Sequence, residues 1–223
     1  MGTLYVVGTP IGNLEDLSSR ALRVLREVSL VAAEDTRKTG ALFSRFDIHT
    51  PLTSYFEHNK LTKLEAILEA LGRGDVALVS EAGLPGFSDP GYELIGAAIE
   101  AGVPIVPIPG PVAAITALVV SGLPTDSFTF LGFLPRKSSE RRRAIQEVAA
   151  ERRTLVLYEA PHRLADCLED LELVLSDRPI AVARELTKLH EEVFRGRASQ
   201  ALEHFPKPRG EFTLVVEGLR EKL

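Results

Sequence analysis

The chain has 223 residues, enough for one large domain or two modest ones, and its 45% hydrophobic and 26% charged residues form an ordinary globular balance. A single cysteine, Cys167, excludes an internal disulfide and fits a reducing cytoplasm, and the net charge of -5 argues against a generic polyanion binder. No charged-then-apolar leader opens the chain and the apolar run Val112 to Val120 is too short to cross a bilayer, so a soluble cytoplasmic protein is expected, with no membrane contact.

A strand is predicted over Leu4 to Val7, followed by the loop Gly8-Thr9-Pro10-Ile11-Gly12-Asn13. A helix from about Leu17 to Glu27 follows, capped by Asp16, and then a short strand, Leu30 to Ala33, that ends at Glu34-Asp35-Thr36-Arg37. Between Asn59 and Leu71, apolar residues at Leu61, Leu64, Ile67, Leu68 and Leu71 repeat at a helical period. The strand Val76 to Val79 runs into Ser80-Glu81-Ala82-Gly83-Leu84-Pro85-Gly86-Phe87-Ser88-Asp89-Pro90-Gly91, and a helix follows over Tyr92 to Ile99. Three glycines, two prolines and two carboxylates in one connection are costly for folding alone. Ligands of open α/β sheets sit at such loops, beyond the carboxyl ends of strands. Another strand, Ile105 to Ile108, leads to Pro109-Gly110-Pro111 and an apolar helix, Val112 to Val120. Strands alternating with helices at this spacing predict a mostly parallel sheet.

Ser121 to Asp126 reads as a linker, which divides the chain into an N-terminal domain, 1–121, and a C-terminal domain, 125–223. Beyond it come a strand (Phe128 to Leu131), a basic helix, a strand (Thr154 to Tyr158) and a helix from about Arg163 to Leu175 with Cys167 in its core pattern. A strand (Ile180 to Ala183), a short strand within Glu191 to Arg195, a helix (Ser199 to His204) and a last strand (Phe212 to Val216) close the chain. Several of these strands have no helix between them, so this sheet is expected to be mixed. From Arg136 to Arg153 seven basic residues stand against three acidic ones, a net of +4 that leaves -9 on the remainder. Such a local basic face suits one structured RNA, although a charge run also reads as a plain solvated helix face.

The loops are neither a Walker A loop nor a dinucleotide fingerprint, because the Gly-Lys-Ser/Thr end and the G-x-G-x-x-G spacing are absent. Their prolines remove N–H groups that a phosphate cradle would use, which leans the chemistry toward an adenosyl ligand. His49, His58, His162, His190 and His204 are scattered, so no metal site is predicted, and no G-x-S-x-G elbow is present.

Together these residues resemble the class III S-adenosylmethionine-dependent methyltransferases, the tetrapyrrole-methylase-like superfamily, and within it the branch that acts on small-subunit ribosomal RNA. The resemblance is carried by Leu4 to Leu14, Ala33-Glu34-Asp35-Thr36-Arg37, Glu57-His58-Asn59, the Ser80 to Gly91 loop and Pro109-Gly110-Pro111. It continues through Gly132-Phe133-Leu134-Pro135, Tyr158-Glu159-Ala160-Pro161-His162-Arg163 and Arg184-Glu185-Leu186-Thr187-Lys188. The G-x-G-x-G-D-P start of the porphyrinoid branch is absent. Glu81 and Leu84 depart from the Asp and Thr usual at these positions, and the chain stops near the last strand where many relatives carry an extension.

The resemblance implies two α/β domains, the N-terminal sheet mostly parallel and the C-terminal one mixed, with S-adenosyl-L-methionine in the cleft between them. Implied cofactor contacts are Pro10, Glu81, Leu84, Ala113, Ala114, Tyr158, Leu186 and Thr213. The implied reaction is 2'-O-methylation of a cytidine ribose in 16S rRNA of the small ribosomal subunit by a homodimer. Glu34, Asp35, Arg37 and Lys188, at strand ends, are the catalytic candidates, and Arg136, Lys137, Arg141, Arg142 and Arg143 the RNA-binding ones. Plain readings stand beside these: Asp35 as a helix cap, Arg37 in a surface pair, Lys188 solvated, His58 as an ordinary loop histidine, and Glu159 orienting Arg163. Two rivals stand as well, a methyltransferase of a porphyrinoid or other small molecule and a non-catalytic adenosyl-ligand or RNA-binding module.

Overall fold

A computed structural model describes residues 1–220. The chain packs as two compact units, Met1–Val112 and Ala113–Leu223. The first holds β1 (Leu4–Val7), α1 (Ser19–Glu27), β2 (Leu30–Ala33), α2 (Thr36–Arg45), β3 (Leu52–Ser54), α3 (Lys60–Leu71), β4 (Val76–Val79), α4 (Tyr92–Glu100) and β5 (Ile105–Ile108). The strands form one sheet in the order β3-β2-β4-β1-β5, with every pair parallel. Alternation along β4 explains how both faces are covered. Ala77 and Val79 pack with Ala21, Val24 and Leu25 of α1 and Phe43 of α2, while Val76 and Leu78 pack with Ile67 and Leu71 of α3 and Leu94 and Ala98 of α4. The chain leaving β1 and β2 therefore turns to one face and the chain leaving β4, their common neighbour, turns to the other. That divergence marks a topological switch point at the carboxyl edge of the sheet, the place where open α/β sheets bind ligands.

The second unit holds α5 (Ala113–Val120), β6 (Phe128–Phe133), α6 (Ser138–Glu147), β7 (Thr154–Glu159), α7 (Leu164–Leu175), β8 (Pro179–Arg184), β9 (Glu192–Arg197), α8 (Ala198–His204) and β10 (Phe212–Val216). Its sheet runs β6-β7-β10-β8-β9, parallel only between β6 and β7, as the mixed pattern predicts. Leu155, Leu157, Ile180, Val182, Leu214 and Val216 pack on one side with Leu164, Cys167, Leu168 and Leu171 of α7, Ile145 of α6 and Ala201 of α8. Cys167 is fully buried there, and burial pushes its thiol pKa up.

Two expectations are corrected and one strand is added. Ser18, not Asp16, caps α1: its hydroxyl accepts from the Ala21 N–H at 3.0 Å, because a short 3-10 turn at Leu14–Asp16 takes up the preceding residues. Strand β3 carries no sequence signal, since Leu52-Thr53-Ser54 has one apolar residue and lies half-buried at the sheet edge. Helix α5, expected in the first domain, packs on β7, β8 and β10 of the second unit. The segment read as a linker is also tied down there, with Pro124 accepting from the Thr154 hydroxyl at 2.7 Å, and the end of α5 is held by the Arg195 guanidinium donating to the Val120 carbonyl.

Candidate active site at the strand ends

In the first unit the loops leaving β1, β4 and β5 meet backbone to backbone. A Cβ on Gly8 would stand 2.7 Å from Gly110, and one on Gly110 would stand 2.8 Å from Gly8, so neither position admits a side chain. Thr9 and Gly83 exchange two backbone hydrogen bonds, 2.8 and 3.1 Å long, and Gly83 holds φ at +83°, a conformation glycine adopts without strain. The motifs quoted from these loops thus form one continuous floor at the carboxyl edge. Pro10 and Leu84 are half-buried beside it, and Glu81 is exposed.

Carboxylates gather at the same edge, where β2 and β4 end. Glu34 Oε2 accepts the Glu81 N–H at 2.9 Å. Burial raises the Glu34 pKa, the Lys38 charge opposes this, and the Asp35 charge adds to it. Glu81 pairs with Lys38 of α2. Asp89 has its pKa raised to about 6, first by burial and then by the Glu34 charge, against a hydrogen bond from Ser80. Asp89, Lys38 and Ser80 are additions to the residues read from sequence. The signal for Asp89 is its Ser-Asp-Pro-Gly setting in a strand-end loop.

Asp35 has another task. Its carboxylate caps α2 by accepting from the Arg37 and Lys38 N–H groups at 2.8 and 3.3 Å, and the Arg37 side chain also hydrogen-bonds it, holding its pKa down at about 2. It is therefore a poor proton acceptor. Arg37 is 91% exposed, 3.1 Å from Asp35, which is the plain surface pair. His58 is exposed, edge-on to Phe56.

In the second unit, Tyr158 on β7 faces Thr213 on β10 across the ladder, with Ala183 of β8 next in the same row. The Tyr158 hydroxyl accepts the Ala114 N–H at 3.1 Å, tying the start of α5, and so Ala113, to that row. Leu186 lies buried just past β8, between Glu185 and Thr187, both at positive φ (51° and 67°). The structure thus gathers these five expected positions at one end of one sheet. Lys188 lies in the same loop with Nζ 2.9 Å from both Glu185 and Glu211. Burial alone would lower its pKa, but those carboxylates raise it, so it is a fixed cation and not a base.

The basic helix divides. Arg136, Lys137, Arg142 and Arg143 are exposed, but Arg141, expected to contact RNA, is buried with Nε 2.6 Å from Asp170 Oδ2. Arg142 reaches the other oxygen of Asp170 at 2.5 Å, and the Ser138 hydroxyl adds 3.3 Å contacts to both. Glu159 forms an ion pair with Arg163, Oε1 lying 3.2 Å from Nε, while the same oxygen accepts the Ala160 N–H at 2.8 Å. Among the described residues, no group of three or more His, Cys, Asp or Glu side chains is placed to hold a metal ion, and no helix is long and apolar enough to cross a membrane.

Residues 3–202 match the pattern of the Tetrapyrrole (Corrin/Porphyrin) Methylases. The whole chain is 52% identical to 78% of the length of the ribosomal RNA small subunit methyltransferase I of Halalkalibacterium halodurans. Over 98% of the chain it is 50% identical to the Synechocystis protein of the same name, spanning 80% of that protein. Among solved structures, the uroporphyrin-III-C-methyltransferase of Thermus thermophilus superposes with a TM-score of 0.66 at 25% identity, over 97% of this chain and 94% of the other.

Proposed function

The chain belongs to the tetrapyrrole (corrin/porphyrin) methylase family, in its ribosomal RNA small subunit methyltransferase I branch, and we propose that it methylates the ribose 2'-hydroxyl of a cytidine in 16S rRNA. What carries the reading is the fused floor of the β1, β4 and β5 loops, edged by carboxylates, in a chain whose full length is 52% identical to an rRNA methyltransferase. S-adenosyl-L-methionine fits this floor. The Gly8–Gly110 contact closes the floor backbone to backbone, and Glu34, Glu81 and Asp89 set carboxylates at its edge where a sulfonium would lie. Pro10, Glu81 and Leu84 would hold it in the first unit, and Ala113, Ala114, Tyr158, Leu186 and Thr213 carry the same proposal in the second.

When bound, the cofactor supplies an electrophilic methyl carbon. The protein's share is alignment of the hydroxyl, which can supply about 7–11 kcal/mol in favourable systems. Glu34 is the best-placed proton acceptor of the candidates, because the Glu81 N–H holds its carboxylate at the carboxyl edge of the sheet and a raised pKa makes it a better base. Asp35 and Arg37 shape the helix start beside it. Lys188 contributes a fixed positive charge. Arg136, Lys137, Arg142 and Arg143 present the face for RNA phosphates, and a homodimer in the cytoplasm completes the reading.

The test is incubation of purified protein with methyl-labelled cofactor and either 30S particles or naked rRNA, followed by mapping of the label. Label on a cytidine ribose is expected. Label on a base, or none on RNA, overturns the assignment. A parallel arm with uroporphyrinogen III tests the small-molecule reading, and calorimetric binding without turnover would favour a non-catalytic module.

A further inference from the structure

The connection from β6 to α6 is held from inside by two arginines. Arg163 Nη2 donates to the carbonyls of Leu134 at 2.6 Å and Pro135 at 3.2 Å. Arg141 Nη1 donates to the carbonyl of Arg136, the next residue, at 3.1 Å. Three successive carbonyls thus end on guanidinium groups, and each guanidinium is itself fixed. Arg163 lies against the buried Glu159 at the end of β7, and Arg141 is bound to the buried Asp170 of α7. Hydrogen bonds with a charged donor are roughly twice as strong as neutral ones, and Nη2 of Arg163 serves two adjacent carbonyls while its Nε side lies toward Glu159.

Joining a strand to a helix does not require this. Two buried ion pairs carry desolvation costs that a plain apolar turn avoids, so the device exceeds what chain connection demands. What it leaves outside is specific: Arg136 and Lys137 stand exposed at the entry to α6, with Arg142 and Arg143 exposed on the same helix. Turning the three carbonyls inward also keeps their partial negative charge away from those cations.

We propose that Arg141 and Arg163 are positioning residues for RNA, fixing the backbone of residues 134–136 so that the Arg136 and Lys137 side chains meet phosphodiester oxygens in one orientation. This rests on the RNA reading above. Arg141, which the charge run suggests as an RNA contact, would thus act through its neighbour and not by touching RNA.

The experiment is a double-mutant cycle on the full chain, read as binding to deproteinised 16S rRNA across a salt titration. Arg136→Ala is expected to weaken binding about threefold to tenfold and to lower the log–log salt slope by about 0.7–0.9. Arg163→Lys keeps a cation beside Glu159 but has a single nitrogen, which cannot reach both Glu159 and the carbonyls, and it is expected to produce a comparable loss with cofactor affinity unchanged. Adding Arg136→Ala to Arg163→Lys should then cost nothing further and leave the slope where it was. Additive losses would overturn the positioning role while leaving the RNA reading standing, whereas wild-type protein without salt-dependent binding would overturn both. Should Arg163→Lys fail to fold, amide relaxation of the wild-type chain decides: order parameters for Arg136 and Lys137 near 0.85 are expected, and values below about 0.6 refute the clamp.

Discussion

Asp89 sits where burial and the Glu34 charge both oppose its ionisation, and its pKa of about 6 lies above the ordinary carboxylate range. The fold therefore favours its protonated form. Its contribution to stability is present below the unfolded-state pKa of about 4 and is lost as pH rises through about 6. Denaturation midpoints of wild type and Asp89→Asn should diverge across that window, the wild type falling relative to the variant as pH increases. A difference that grows the other way would contradict the burial argument. Asp35 acts in the opposite sense: held at about 2, it favours folding above the unfolded pKa and loses that contribution as pH falls toward about 2. The glycine and proline spacing made the strand-end loops legible in sequence, and the carboxylates at Glu34 and Glu81 were legible with them. The Asp89 shift was not, because it depends on a strand two positions away in sequence order bringing Glu34 alongside.

Elements differ in how openly the sequence announces them. Val76 to Val79 is continuous and apolar, so β4 is plain, while β3 has nothing to distinguish Leu52-Thr53-Ser54 from a turn. The start of α1 misleads because Asp16 and Ser18 are both good caps and only the intervening 3-10 turn decides between them. Ser18→Ala should cost about 1 kcal/mol in urea denaturation, and Asp16→Ala much less. Helix α6 misleads more seriously. A run of arginines reads as solvated, and the partner that buries Arg141 is Asp170, on a different helix. Burial opposes ionisation of Asp170, but hydrogen bonds from Arg142 and Arg141 outweigh it and keep the carboxylate charged. Asp170→Ala strands the buried guanidinium of Arg141 and should cost about 3–5 kcal/mol by the same measurement. A loss under 1 kcal/mol would mean that water reaches Arg141.

At the scale of the whole molecule, the sequence gives away the class of each sheet but not which one takes α5. That helix is apolar on most sides, so no stripe marks a preferred partner, and only packing on β7, β8 and β10 assigns it. The two units keep separate cores, with no residue shared between the cluster around α7 and the clusters around β4. Hydrogen exchange should accordingly show the Asp170→Ala loss in β6, β7, β8 and β10, with β1, β2 and β4 as protected as in wild type. The chain's only thiol offers a second view of the same event. Walled in by Leu164, Leu168 and its neighbours and hard to ionise, Cys167 cannot meet an alkylating reagent until α7 lifts from its sheet. It is a built-in stopwatch: the rate at which a maleimide consumes it counts the openings of the second unit, without any label having been engineered, and Asp170→Ala should make it run faster.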